Sequence, residues 1–222
     1  MLNKKGITLI ELIVVVAIIG ILAVIGIPEI NRFSAESKVR SAATDLIQNM
    51  RLARAMAIKE NREYLIVFDA ANRRYMMGFD GNNDNNLVTA DSDTFGICND
   101  NDGDRLPNGD VLVNGVPRCV KTVDLNDYGP FINFNTIAPN GPENSSLCAN
   151  GLGVCFGGTL NPVRAEFNPN GSAGNIGSAY FQHTERRYSY VVRISNNAGS
   201  INMWKWRGDN DNPGETNWRE LR

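Results

Sequence analysis

The chain has 222 residues, 42% hydrophobic and 21% charged, with a net charge of -2 and a mean hydropathy of -0.26. This composition excludes a disordered or collagen-like chain and suits one apolar segment joined to one globular domain. Charge is nearly balanced, and removal of the first six residues with Lys4 and Lys5 would leave -4, so nothing global points to a nucleic-acid partner.

In chain order, the first element is an apolar run from Ile7 to Ile27 with a single charge, Glu11. As a helix rising about 1.5 Å per residue it covers about 31 Å, the depth of a bilayer core. It is apolar all round, unlike the helix of a soluble domain. Lys4 and Lys5 precede it, which places the N-terminus in the cytoplasm and the rest outside. A cleaved secretory signal has a shorter apolar stretch and a small-residue site, for which Val24 and Gly26 are a weak substitute. An ordinary anchor accounts for the length but not for a carboxylate inside it, which costs up to about 3 kcal/mol at mid-membrane.

Pro28 follows, and is expected to kink or locally interrupt the helix. Residues 29–60 contain neither Pro nor Gly, and Val39, Ala42, Leu46, Met50, Ala53 and Ala57 step by three or four. That spacing predicts an amphipathic helix laid on a folded domain, with Arg32, Lys38, Arg40, Arg51 and Arg54 off the stripe.

Strands are predicted at Tyr64–Asp69 and Arg73–Phe79 about an Ala70-Ala71-Asn72 turn, and at Val163–Phe167, Arg187–Ser195 and Ser200–Arg207. Asn196-Asn197-Ala198-Gly199 reads as the turn of a second hairpin. The fold class is therefore α+β, a long N-terminal helix on an antiparallel sheet or small sandwich. Residues 80–160 read as an Asp/Asn-rich, cysteine-containing insertion in the 61–222 domain.

Cys98, Cys119, Cys148 and Cys155 are an even set without metal-ligand spacing, which points to disulfides in an oxidising compartment. Three pairings are open; neighbour pairing closes the shortest loops. Residues 80–110 carry a local charge of -7, and Asp100, Asp102 and Asp104, with Asp110 further on, have the alternating spacing of a Ca²⁺ loop. Asp80–Asp84 and Asp209–Asn212 are weaker versions. The alternative is a solvated Asn/Asp turn, and calcium is the one candidate cofactor.

No nucleophile elbow, zinc motif, phosphate loop or dinucleotide fingerprint is present, so no catalytic residues are assigned. His183 is the sole histidine and reads as a surface residue. In Met203-Trp204-Lys205-Trp206-Arg207 the tryptophans share one strand face and Lys205 and Arg207 the other. That pattern suits single-stranded nucleic acid, or else a core-facing Trp pair under a solvated basic face.

The motif Lys4-Lys5-Gly6-Ile7-Thr8-Leu9-Ile10-Glu11 resembles the prepilin leader of type IV pilins and type II secretion pseudopilins. The resemblance implies a cut between Gly6 and Ile7 and N-methylation of Ile7, with Glu11 attracting the N-terminal amine of a neighbouring subunit and Pro28 shaping the packed helix. Arg54-Ala55-Met56-Ala57-Ile58-Lys59, Phe167-Asn168-Pro169-Asn170-Gly171 and the Ala198-Gly199 hairpin resemble the GspH/FimT group of minor pilins and pseudopilins. DNA-binding members of that group carry a Gly-Arg-x-Arg motif where this chain has Gly199-Ser200-Ile201-Asn202.

The implied function is structural and non-enzymatic: a subunit of a type II secretion pseudopilus or type IV pilus, in the bacterial inner membrane with its domain in the periplasm. Implied partners are a prepilin peptidase/methyltransferase, other pilins or pseudopilins and an inner-membrane assembly platform. The alternative is a tip binding module, an adhesin or a DNA receptor.

Overall fold

The computed structural model describes residues 8–79, 112–113, 116–117, 119–148, 153–157, 163–208 and 216–221. One helix, α1 (Leu9–Glu60), runs 52 residues, about 78 Å at the usual rise. Its backbone stays helical through Pro28, where an interruption is expected from the sequence. A proline removes one amide donor, and the helical turns on both sides are enough to carry the helix past that single loss. The helix ends at Asn61, which takes the left-handed conformation (φ 53°) and returns its N–H to the Ala57 carbonyl. Asn tolerates this conformation better than most residues and serves here as the stop signal.

The predicted stripe is the buried face. Val39, Ala42, Leu46, Met50, Ala53 and Ala57 are all fully buried, and burial along the helix begins at Ala35. Two antiparallel sheets receive them. The first has the order β5 (Cys119–Asp124), β2 (Arg74–Phe79), β1 (Tyr64–Asp69), β8 (Arg164–Phe167). The second has the order β12 (Trp218–Leu221), β11 (Ile201–Trp206), β10 (Ser189–Ile194), β9 (Gly177–His183), β6 (Ile132–Phe134), with β7 (Val154–Phe156) also on β9. A two-residue hairpin, β3 (Leu112–Val113) with β4 (Val116–Pro117), stands apart. The observed class is α+β, as expected.

Strand ends differ from expectation for a local reason. Arg73 (φ 58°) and Arg187 (φ 57°) occupy the left-handed region, so the strands start after them. The β1–β2 turn is tied by Asp69, which accepts from the Asn72 amide at 3.1 Å and pairs with Arg74 Nε at 3.0 Å. Burial alone would raise the Asp69 carboxyl, but the hydrogen bonds from Asn72 and Arg74 outweigh it and hold it below its ordinary value.

The expected insertion at 80–160 is narrower in the structure. Residues 119–124 form the edge strand of the first sheet, and residues 132–134 and 154–156 pair with β9 in the second. Three-residue strands are too short for alternation to show in sequence, and their partner lies far along the chain. Their side chains are core: Phe68 of β1 stacks on Phe156 of β7 (5.4 Å, 3°) and meets Phe134 of β6 edge-on (5.8 Å, 88°), which joins the two sheets. Cys148 and Cys155 form a disulfide; Cys98 lies outside the described residues.

Arg54 explains why three separate sequence motifs belong together. Its guanidinium donates Nε to the Gly171 carbonyl (2.7 Å), Nη1 to Gly199 (3.2 Å) and Nη2 to Ala198 (2.9 Å). Gly171 (φ 81°) and Gly199 (φ 75°) both sit in the left-handed region, and a side chain at Gly199 would press on the guanidinium. The helix motif, the Asn168–Gly171 turn and the 196–199 turn thus meet around one planar fork.

Candidate functional site: the N-terminal helix

The helix has two regimes. From Leu9 to Val24 every large apolar side chain is 50% or more exposed, whereas Val39 to Ala57 presents a buried stripe. Ile30 and Phe33 extend the exposed apolar character to the edge of the domain. Among the described residues, which here include 8–24, no helix is long and apolar enough to cross a membrane. The apolar run of the sequence continues to Ile27.

Glu11 is held rather than bare. Thr8 caps the helix, accepting from the Glu11 amide at 3.3 Å, while the Glu11 carboxylate accepts from the Thr8 N–H (2.9 Å) and Oγ1 (3.0 Å). This is a reciprocal capping box, which satisfies amide donors that a helix start otherwise leaves unpaired. The Thr-x-x-Glu spacing at 8–11 was the sequence signal for it. The carboxylate thus sits at the positive end of the helix dipole, one turn from the amine that a cut before Ile7 would create. Gly6 and Ile7 themselves lie outside the described residues, and nothing is assigned to the Pro28 side chain.

On the domain side, the entry of α1 is tied to β10 and β11. Lys205 Nζ forms an ion pair with the Glu36 carboxylate, and the Tyr190 hydroxyl donates to the same oxygen at 3.0 Å. Lys205 therefore faces the helix, not open solvent; Arg207 is exposed. Trp204 and Trp206 are buried, and Trp204 packs with Tyr180 and Val191 in a second small core covered by Leu147, Cys148 and Trp218. The alternation read from sequence is present, but the basic pair does not form one solvated face.

His183 is 6% exposed, contrary to the surface reading. Its Nδ1 accepts from the Arg186 amide at 3.2 Å, and its ring lies 5.5 Å from that of Phe131. The strand β9 carries it inward under the turn that follows. Burial lowers its pKa below 6.5; Glu185 opposes this and Lys38 and Arg186 add to it. The unfolded chain then binds the proton more readily, so stability is complete above the ordinary value and falls as pH drops below it toward the folded value. Thermal midpoints measured from about pH 8 to pH 5 should decline on the acid side, and His183→Gln should flatten part of that decline.

Asp100, Asp102, Asp104 and Asp110, and the weaker loops at 80–84 and 209–212, lie outside the described residues. Among the described residues no cluster of three metal-ligating side chains occurs.

Residues 1–27 match the prokaryotic N-terminal methylation motif, and residues 42–198 match the family model for the type II transport protein GspH. No curated protein sequence matches the chain. Among solved structures, one of the minor pseudopilin EpsH from the type II secretion system of Vibrio cholerae is 12% identical, with 77% of this chain and 99% of that chain covered at a TM-score of 0.43. A second structure of EpsH is also 12% identical, covering 76% and 94% at a TM-score of 0.39. The GspH match takes in most of the folded domain and the methylation motif takes in the first 27 residues: the chain belongs to the family of the type II transport protein GspH.

Proposed function

We propose that this protein is a structural minor pseudopilin, stored in the inner membrane through α1 and assembled through the same helix into a type II secretion pseudopilus. The observation that carries this reading is the two-regime helix: apolar and bare on every side to Val24, yet continuous with a stripe buried in a folded domain. A soluble protein does not expose an apolar surface of that extent. A bilayer covers it before assembly, and neighbouring helices cover it afterwards.

The prepilin peptidase cuts between Gly6 and Ile7 and methylates Ile7, leaving the N-terminus cytoplasmic and the domain periplasmic. Glu11 then has two candidate partners, the capping amide of its own chain and the free amine of a neighbour. Exchange of one for the other keeps the carboxylate satisfied throughout insertion into a filament, where an unpaired charge is costly. The type IV pilus remains the second machine consistent with the leader; the GspH match favours secretion. A receptor role for Lys205 has less support, since Glu36 already neutralises it.

Intact mass spectrometry of membrane-extracted protein should show a chain beginning at methylated Ile7; a chain beginning at Met1 or after Gly26 would overturn the proposal. Glu11→Ala should leave membrane insertion and processing intact and abolish copurification with other pseudopilins. Undiminished copurification would remove Glu11 from assembly.

A further inference from the structure

The two ends of the folded domain stand at fixed places along α1. Arg54, near the helix C-terminus, holds Gly171 and Gly199, so the turns that carry them form the far end. Glu36, at the helix entry, takes the Tyr190 hydroxyl, so the chain leaving β9 and entering β10 turns at the end nearest the bare helix. There the 184–187 turn meets the segment that follows the 3₁₀ turn Leu125–Tyr128. The Thr184 amide donates to the Phe131 carbonyl at 2.9 Å, and the rings of Phe131 and His183 lie 5.5 Å apart.

Both segments are held by cross-turn hydrogen bonds. The Arg187 amide donates to the His183 carbonyl at 2.8 Å and the Arg186 amide to His183 Nδ1 at 3.2 Å. Arg73 Nη2 donates to the carbonyls of Gly129 (3.0 Å) and Ile132 (2.7 Å). Arg73 and Arg187 are left-handed, a conformation that residues other than glycine keep only where surrounding contacts compensate. This frame presents Pro130 and Phe131 outward, the ring 40% exposed, with Arg187 exposed and Arg186 half-buried beside them. Lys38 and Arg186 both repel a proton from His183, so cations from two elements approach one ring. The acidic residues of the same segments, Asp127 and Glu185, are already engaged.

Depth follows from the helix and the strand. The apolar run ends at Ile27, and Glu36 is about 13 Å further along α1. Tyr190 stands opposite Phe181, and β9 continues past Phe181 to His183, about 7 Å back toward the bare helix. The turn therefore stands about 6 Å beyond the apolar layer, within a headgroup layer about 5–7 Å deep. An aromatic ring among basic side chains is a composition suited to this layer.

We propose that this end of the domain is a seat on the periplasmic leaflet, in which Phe131 enters the headgroup layer and Arg186, Arg187 and Lys38 pair with the phosphates of anionic lipids. Charge complementarity selects this occupant. Continuity does so too, since the seat borders the bare helix, where Phe33 is 77% exposed. The inference rests on the membrane reading above and adds a second, peripheral contact, which must be released before the subunit leaves the bilayer.

The test uses the full mature chain in nanodiscs, with a photo-crosslinking amino acid in place of Phe131. A control carries it in place of Ile176, 49% exposed just before β9 at the far end. The discs hold phosphatidylcholine alone or an equal mixture with phosphatidylglycerol. Position 131 should capture lipid, several-fold more in the mixed discs, and position 176 should capture none. Arg186→Gln combined with Arg187→Gln should lower capture in mixed discs roughly tenfold, and lysine at both positions should keep it, since surface attraction needs only the charge. Equal capture in both kinds of disc, or undiminished capture by the double glutamine variant, overturns the proposal while leaving the membrane reading in place. Equal lipid capture at position 176 overturns it by showing that the domain has no fixed seat. Capture of a second copy at position 131 instead of lipid makes this end a subunit interface and also overturns it. A chain that does not enter the nanodisc overturns the membrane reading as well.

Discussion

Phe156→Ala is expected to destabilise the folded domain by about 3–5 kcal/mol. Phe156 is fully buried, sits on a three-residue strand, and stacks on Phe68 across the junction of the two sheets. Truncation removes the burial of a large ring, leaves a cavity that the closed sheets cannot fill, and deletes an aromatic pair. Domains of this kind have only about 5–15 kcal/mol in hand, so a loss of this size is a large fraction of the total. Denaturant melts of the detergent-solubilised chain should show a lower midpoint with an unchanged slope. Arg207→Ala, at an exposed site, should change stability by no more than about 0.5 kcal/mol. If Phe156→Ala were equally mild, residues 154–156 would be a peripheral loop after all.

Arg54→Ala is the second large effect, at about 2–4 kcal/mol, because three carbonyls lose a charged donor at once. The loss should appear locally as well. Amide exchange in the 168–172 and 196–199 turns should quicken before that of β9 and β10, since those turns are what the guanidinium joins. Arg54→Lys should recover little, because a single ammonium cannot serve three acceptors set around a planar fork. A fully stable lysine variant would show that charge alone, and not fork geometry, holds the turns.

What could be read in the sequence depended on whether the signal was local. The helix stripe was legible because six apolar positions recur with one period, and each of them is buried. The first hairpin and the 196–199 turn were legible because turn residues flank β-rich runs. Phe134 and Phe156 were not, since their burial is decided by β9 and β1, far away in sequence. The strand at β11 shows the limit most clearly. Alternation states which residues share a face; it cannot state which face meets the helix, and so Lys205 was read as solvated when it points at Glu36. His183 was misread for the same reason, its polar neighbours masking a buried place on β9. At the candidate site, Glu11 was legible as an anomaly of charge. Its bond to Thr8 was present in the spacing, though hidden behind the resemblance that the same residues carry.

The unbroken helix also has a mechanical meaning. A force applied along the bare end of α1 reaches the domain first at Ala35 and Glu36, where the Lys205 and Tyr190 ties fasten it, and last at Arg54. Between these points the contact strip lies along the direction of pull, so its side chains are strained together in shear rather than peeled in succession. Rupture then requires Val39 through Ala53 to slide at once, a far stiffer mode than opening one end. The helix is in this sense a drive shaft keyed at both ends of its socket, and thrust or tension on the shaft moves the whole domain as one body.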